Sequence, residues 1–93
     1  MIKVKSLILA ANSADLMPNL PNLKTLFPNL LHLDLSSNKL HSINADRLIQ
    51  SFPCLVTLDI RRNLIWELDQ ILKLKDMQCL EVLNIDGNPL PTE

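Results

Sequence analysis

The sequence predicts an α/β solenoid of four stacked units, with short parallel strands on a concave inner face and helical returns on the convex outside. Three observations predict it. Asn12, Asn38, Asn63 and Asn88 recur at intervals of 26, 25 and 25 residues. Each follows apolar residues at the same three offsets: Val4, Leu7 and Leu9, then Leu30, Leu33 and Leu35, then Leu55, Leu58 and Ile60, and last Leu80, Leu83 and Ile85. Two positions after each asparagine stands Ala14, Leu40, Ile65 or Leu90, and Phe27-Pro28 and Phe52-Pro53 precede the middle blocks identically. A period of this length marks units that bury their apolar faces against one another.

The spacing explains the strands. Successive side chains of a strand point to opposite faces, so the two apolar residues flanking each outward residue share the inner face. The outward residues then align in columns. The first is Ser6, His32, Thr57 and Val82, the second Ile8, Asp34, Asp59 and Asn84, the third Ala10, Ser36, Arg61 and Asp86. Strands about 4.8 Å apart make this strip roughly 15 Å wide. After each strand the chain must turn out of the sheet. An asparagine carboxamide, with two donors and an acceptor, can satisfy the backbone groups that the turn leaves unpaired, so Asn12, Asn38, Asn63 and Asn88 are expected to form a buried ladder.

The returns differ among themselves. In the first, Pro18 and Pro21 break any early helix and leave Asn22 through Leu26 as the helical stretch. In the second, Asn44 is placed to cap a helix over 45–51 with Leu48, Ile49 and Phe52 turned inward, ended by Pro53. In the third, a helix from Trp66 to Met77 is expected to bury Leu68, Ile71 and Leu72.

Composition bounds the rest. At 93 residues and 47% hydrophobic content the chain reads as one domain, 1–93, with repeats at about 4–29, 30–54, 55–79 and 80–93. Nothing resembling an end cap flanks them, so a fragment of a longer protein, or a domain completed by a partner, is expected. Nine basic and ten acidic residues leave a formal charge of −1, which gives no global attraction for a polyanion. Lys3, Lys5 and Lys24 bias the N-terminal part positive; Asp69, Asp76, Glu81 and Asp86 bias the C-terminal part negative. One glycine and 3% aromatic residues count against phosphate loops and base-stacking platforms. Neither a signal peptide nor a long apolar run is present, so export and membrane insertion are not expected. Cys54 and Cys79, 25 residues apart, fall on adjacent units and are expected to be free thiols.

A search for catalytic patterns finds none. His32 faces outward and His41 lies in the following turn, so they do not converge. The two cysteines lack metal-ligand spacing, and Ser36 and Ser37 have no nucleophile elbow around them. No cofactor, metal or small-molecule substrate is expected. The candidates for partner binding are the outward residues His32, Asp34, Ser36, Thr57, Asp59, Arg61, Arg62, Asn84 and Asp86. Asp34 and Asp59 are expected to lie one strand spacing apart as an acidic spot able to accept a partner's Lys or Arg, although aspartate is also common at this position of such repeats. Arg61 and Arg62 can contact carboxylate or phosphate, or serve solubility alone. Trp66 is expected to pack over a neighbouring unit, the other reading being a binding hot spot.

The LxxLxLxxNxL block with its period resembles the leucine-rich repeat. More narrowly, Phe27-Pro28-Asn29-Leu30 through Leu90 resembles the leucine-rich domain of TAP-type nuclear mRNA export factors. The matching residues are Leu33-Asp34-Leu35-Ser36-Ser37-Asn38-Lys39-Leu40, Glu67-Leu68-Asp69 with Ile71, and Leu80-Glu81 with Leu83, followed by Asp86-Gly87-Asn88 and Leu90. The segment from Glu67 to Leu80 is longer than that family's. Arg61 and Arg62 stand where the family commonly has small residues, so the resemblance implies no RNA contact at them. It implies a non-catalytic module of nucleus and cytoplasm that contacts an adaptor protein and/or RNA, while the charge balance makes RNA binding by this domain alone weak. The alternative is an intracellular scaffold similar to the leucine-rich regulatory subunits of protein phosphatase 1, which binds protein without RNA.

Overall fold

The computed structural model describes residues 5–10, 22 and 25–91. Asn12, Val4, Ala14, Lys3 and most of the first return lie outside them. Four strands, β1 (Ser6–Ile8), β2 (His32–Asp34), β3 (Thr57–Asp59) and β4 (Val82–Asn84), form one parallel sheet in chain order. Parallel neighbours require a crossover between them, and here the returns supply it. The second contains helix α1 (Ala45–Ser51); the third contains α2 (Leu68–Lys73) and a 3-10 turn, Leu74–Asp76. The described part of the first return includes helical backbone at Asn22, Thr25 and Leu26.

The register is the one that the 26- and 25-residue spacings dictate. Ser6 pairs with His32, His32 with Thr57 and Thr57 with Val82, while Leu7, Leu33, Leu58 and Leu83 align one position on. A shift of one residue would turn every leucine to solvent, so burial holds the register. Leu33 and Leu58 are 2% and 0% exposed, and Leu30, Leu35, Leu55 and Ile60 are equally buried around them.

Between strand and return the asparagines bind neighbouring units together. The Asn63 carboxamide donates to the carbonyls of Ile60 (2.9 Å) and Arg61 (3.2 Å) in its own turn and to Leu35 (3.1 Å) one unit earlier. Its oxygen accepts from the backbone N–H groups of Asn38 (2.9 Å) and Leu40 (3.0 Å). Asn38 donates in the same way to Leu35, Ser36 and Leu9, and Asn88 donates to Ile85 and Ile60 while accepting from Ile65. The residue before each of these asparagines, Ser37, Arg62 or Gly87, has a left-handed backbone with φ of 57°, 57° and 77°. That conformation swings the chain off the strand so that the amide can point inward.

α1 starts at Asn44, whose side chain accepts from the Arg47 N–H at 3.1 Å. Leu48 and Phe52 are buried, Ile49 only half so, and Ala45 is fully buried as well. A second cap comes from the next return, where the Gln70 side chain accepts from the Ala45 N–H at 3.0 Å. The third return differs from the expectation. The helix begins at Leu68 and tightens to a 3-10 turn at Leu74, and the buried residues are Ile71, Leu74 and Met77. Leu68 and Leu72, expected inside, are 37% and 45% exposed. A 3-10 turn repeats every three residues, so its continuation rotates 71, 74 and 77 onto one line and leaves 72 outside.

Candidate functional site

The strand residues that the core does not use stand side by side on the open face of the sheet. A shallow depression of about 330 Å³ runs over it, lined by Ser6, Ile8, His32, Asp34, Thr57, Asp59, Val82 and Asn84 along with Leu7 and Leu33. Of the expected binding residues, His32, Asp34, Thr57, Asp59 and Asn84 are thus brought into one place.

Their bonding within the chain limits what each has left to offer. His32 Nδ1 and Thr57 Oγ1 lie 2.7 Å apart across β2 and β3, which ties two members of the first column together. Asp34 accepts from the Ser36 N–H through Oδ1 at 2.9 Å, an Asx turn at the end of β2. Asp59 repeats that turn toward the Arg61 N–H at 3.1 Å. The Arg61 guanidinium then folds back onto the same carboxylate, with Nη2 to Oδ2 at 2.8 Å and Nε to Oδ1 at 3.0 Å.

This pairing corrects the expected acidic spot. Asp34 and Asp59 are adjacent in register, but Asp59 is already occupied by the cation two residues later. The Arg61 hydrogen bonds hold the Asp59 carboxyl below the usual carboxylate range, against a smaller opposing effect of burial. Arg61 is raised above its ordinary value, first by that bond, then by the charge of Asp59 and more weakly by Asp34 and Asp86. Asp59 is thus the carboxylate bonded to this guanidinium. Arg61, Arg62, Ser36 and Ser37 line a separate small polar depression beyond the strand ends, of about 120 Å³. Asp86 contributes its backbone carbonyl to Arg62 N–H at 2.9 Å.

Two apolar residues join the site without having been singled out. Ile8 is 72% exposed and Val82 44%, at opposite margins of the depression. Strand parity had already placed both in the outward columns, and their apolar character kept them off the list of binding candidates. Trp66 corrects another expectation, for it is 59% exposed instead of packed over a neighbouring unit. Cys54 and Cys79 are free and exposed. Among the described residues no group of His, Cys, Asp or Glu is arranged to hold a metal ion, and no helix is long and apolar enough to cross a membrane. Comparison with family models, with curated proteins and with solved structures finds no match.

Proposed function

We propose that this chain is a leucine-rich-repeat solenoid, a non-catalytic module that binds a protein partner on the concave face of its sheet. The observation that carries the reading is the aligned register, which sets two columns of residues unneeded by the core on one open surface. The amides of Asn38, Asn63 and Asn88, each bridging two units, support the solenoid part of it. Exposed Ile8 and Val82 offer apolar contact, while His32, Asp34, Thr57 and Asn84 offer hydrogen bonds between them, a mixture suited to a protein interface.

Within that reading, the export-factor resemblance makes the ligand of this face an adaptor protein in nucleus and cytoplasm. The pairing of Arg61 with Asp59 favours the protein over RNA, because it takes up hydrogen-bonding capacity that a phosphate would otherwise use. That same observation supports the alternative of a phosphatase-1-type scaffold, in which RNA has no part. The test is capture from nuclear extract with and without nuclease, using wild type, Ile8→Glu and Asp34→Ala. Nuclease-resistant capture lost in both variants is expected. Salt-sensitive binding of single-stranded RNA, unchanged in both variants, would overturn the protein-binding assignment.

A further inference from the structure

Two thiols stand at the same place on neighbouring units. Cys54 and Cys79, the chain's two cysteines, lie 25 residues apart, and both are free and exposed. Each holds the third position of a four-residue turn that leads from a return into the next strand, Phe52-Pro53-Cys54-Leu55 and Met77-Gln78-Cys79-Leu80. The turns are closed alike. The Leu55 N–H donates to the Phe52 carbonyl at 3.1 Å, and the Leu80 N–H donates to the Met77 carbonyl at 3.3 Å. Phe52 and Met77, 1% and 4% exposed, anchor the two turns in the core.

Just beyond the cysteines the units are bonded to each other, because the Val56 carbonyl accepts from the N–H groups of Glu81 and Val82 at 2.8 and 3.1 Å. The pairing of Thr57 with Val82 follows at once. Equivalent Cα atoms of turns stacked in this register stand about 4.8 Å apart. A disulfide spans Cα separations of about 4.4–6.8 Å. Neither cysteine has a positive φ, so the two Cβ atoms leave equivalent backbones in the same direction. Closure needs them to lean together to about 3.8 Å, a movement that an exposed turn position can make. The exposure belongs to the position itself. Asn29, which holds it one unit earlier, is exposed as well, with two further units stacked beyond it.

We propose that Cys54 and Cys79 are a reversible dithiol pair, a modification site that a low-molecular-weight disulfide closes into an intrachain bond. The thiolate of one cysteine attacks a sulfur of the small disulfide, which breaks that S–S bond, forms a mixed disulfide and expels the first small thiolate. The other cysteine's thiolate then attacks the protein sulfur of the mixed disulfide, and the second small thiolate leaves. Over both steps the protein gives up two protons and two electrons. The small disulfide takes them and becomes two thiols. The new bond closes the third return, with α2 and its 3-10 turn, into a ring pinned from turn to turn. Neither cysteine lines the depression on the open face, so closure and partner binding there are independent.

The test is incubation of the 93-residue chain with oxidised glutathione, read by intact mass and by alkylation with iodoacetamide. Wild type should lose about 2 Da, stay a single chain without reductant, and resist alkylation until dithiothreitol restores both thiols. Cys54→Ser and Cys79→Ser, at exposed positions that the core does not use, should each stop at a chain carrying one glutathionyl group. A bond that stabilises the fold is favoured by the fold to the same degree. At fixed reduced glutathione, the folded chain should therefore need at least about tenfold less oxidised glutathione for half closure than the chain in urea. Two glutathionyl groups on wild type, disulfide-linked dimers in place of the mass loss, or equal closure in buffer and in urea would each overturn the proposal.

Discussion

Asn63 satisfies five backbone groups, two N–H groups and three carbonyls. Asn63→Ala removes the acceptor for the Asn38 and Leu40 N–H groups and the donor for the Leu35 carbonyl in the same step. Each buried group left unsatisfied costs about 1–3 kcal/mol, so urea unfolding should rank this variant well below Asn88→Ala, whose half-buried amide water can replace. Asp59 makes a second prediction, about pH. Its folded carboxyl is held below the usual range, so its contribution is present above the unfolded value of about 3.9 and is lost as pH falls through the folded value. Asp59→Asn should therefore flatten the acid limb of stability below about pH 4, by a small and salt-screened amount because Arg61 is on the surface. At this scale the sequence was legible in kind and incomplete in detail. The Asn38 and Asn63 positions and the outward parity of Asp34 and Asp59 followed from spacing alone. That Arg61 would fold back onto Asp59 did not, since a side chain's choice between solvent and a neighbour turns on torsions that no pattern encodes.

At the scale of elements, the third return tests which residues face in. Leu74→Ala should cost about 2–5 kcal/mol through the cavity it opens, and Leu72→Ala should cost far less because that side chain is 45% exposed. Equal effects in urea unfolding would restore the uniform helix from Trp66 to Met77. Gly87 supplies the next prediction, because it holds φ of +77° where an added Cβ would stand 3.3 Å from the Arg62 backbone nitrogen. Gly87→Ala should lose about 1–2 kcal/mol, read as a lower midpoint at unchanged slope. The second return was readable because Asn44 and Pro53 punctuate it. The third carries no proline or glycine between Trp66 and Met77. The 3-10 turn at Leu74 packs against α1, and the periodicity of apolar residues there is compatible with either helix type.

At the scale of the whole molecule, position within the row of units sets what an identical side chain is worth. Leu58, flanked on both sides, is 0% exposed, whereas Leu83 in the last unit is only half buried. Leu58→Ala should cost about 2–5 kcal/mol and Leu83→Ala clearly less, a comparison that thermal or urea unfolding of the pair of variants resolves. The sequence by itself determined the strand positions, their register and the outward columns. All three follow from a repeated spacing, and one slipped residue would expose every leucine at once. Only the tertiary structure decided that Gln70 caps α1 from the neighbouring return, that Asp59 is spoken for and that Trp66 stands exposed. Those outcomes depend on where separate units come to lie against one another, and a pattern that repeats along one chain carries no record of what meets across the gaps.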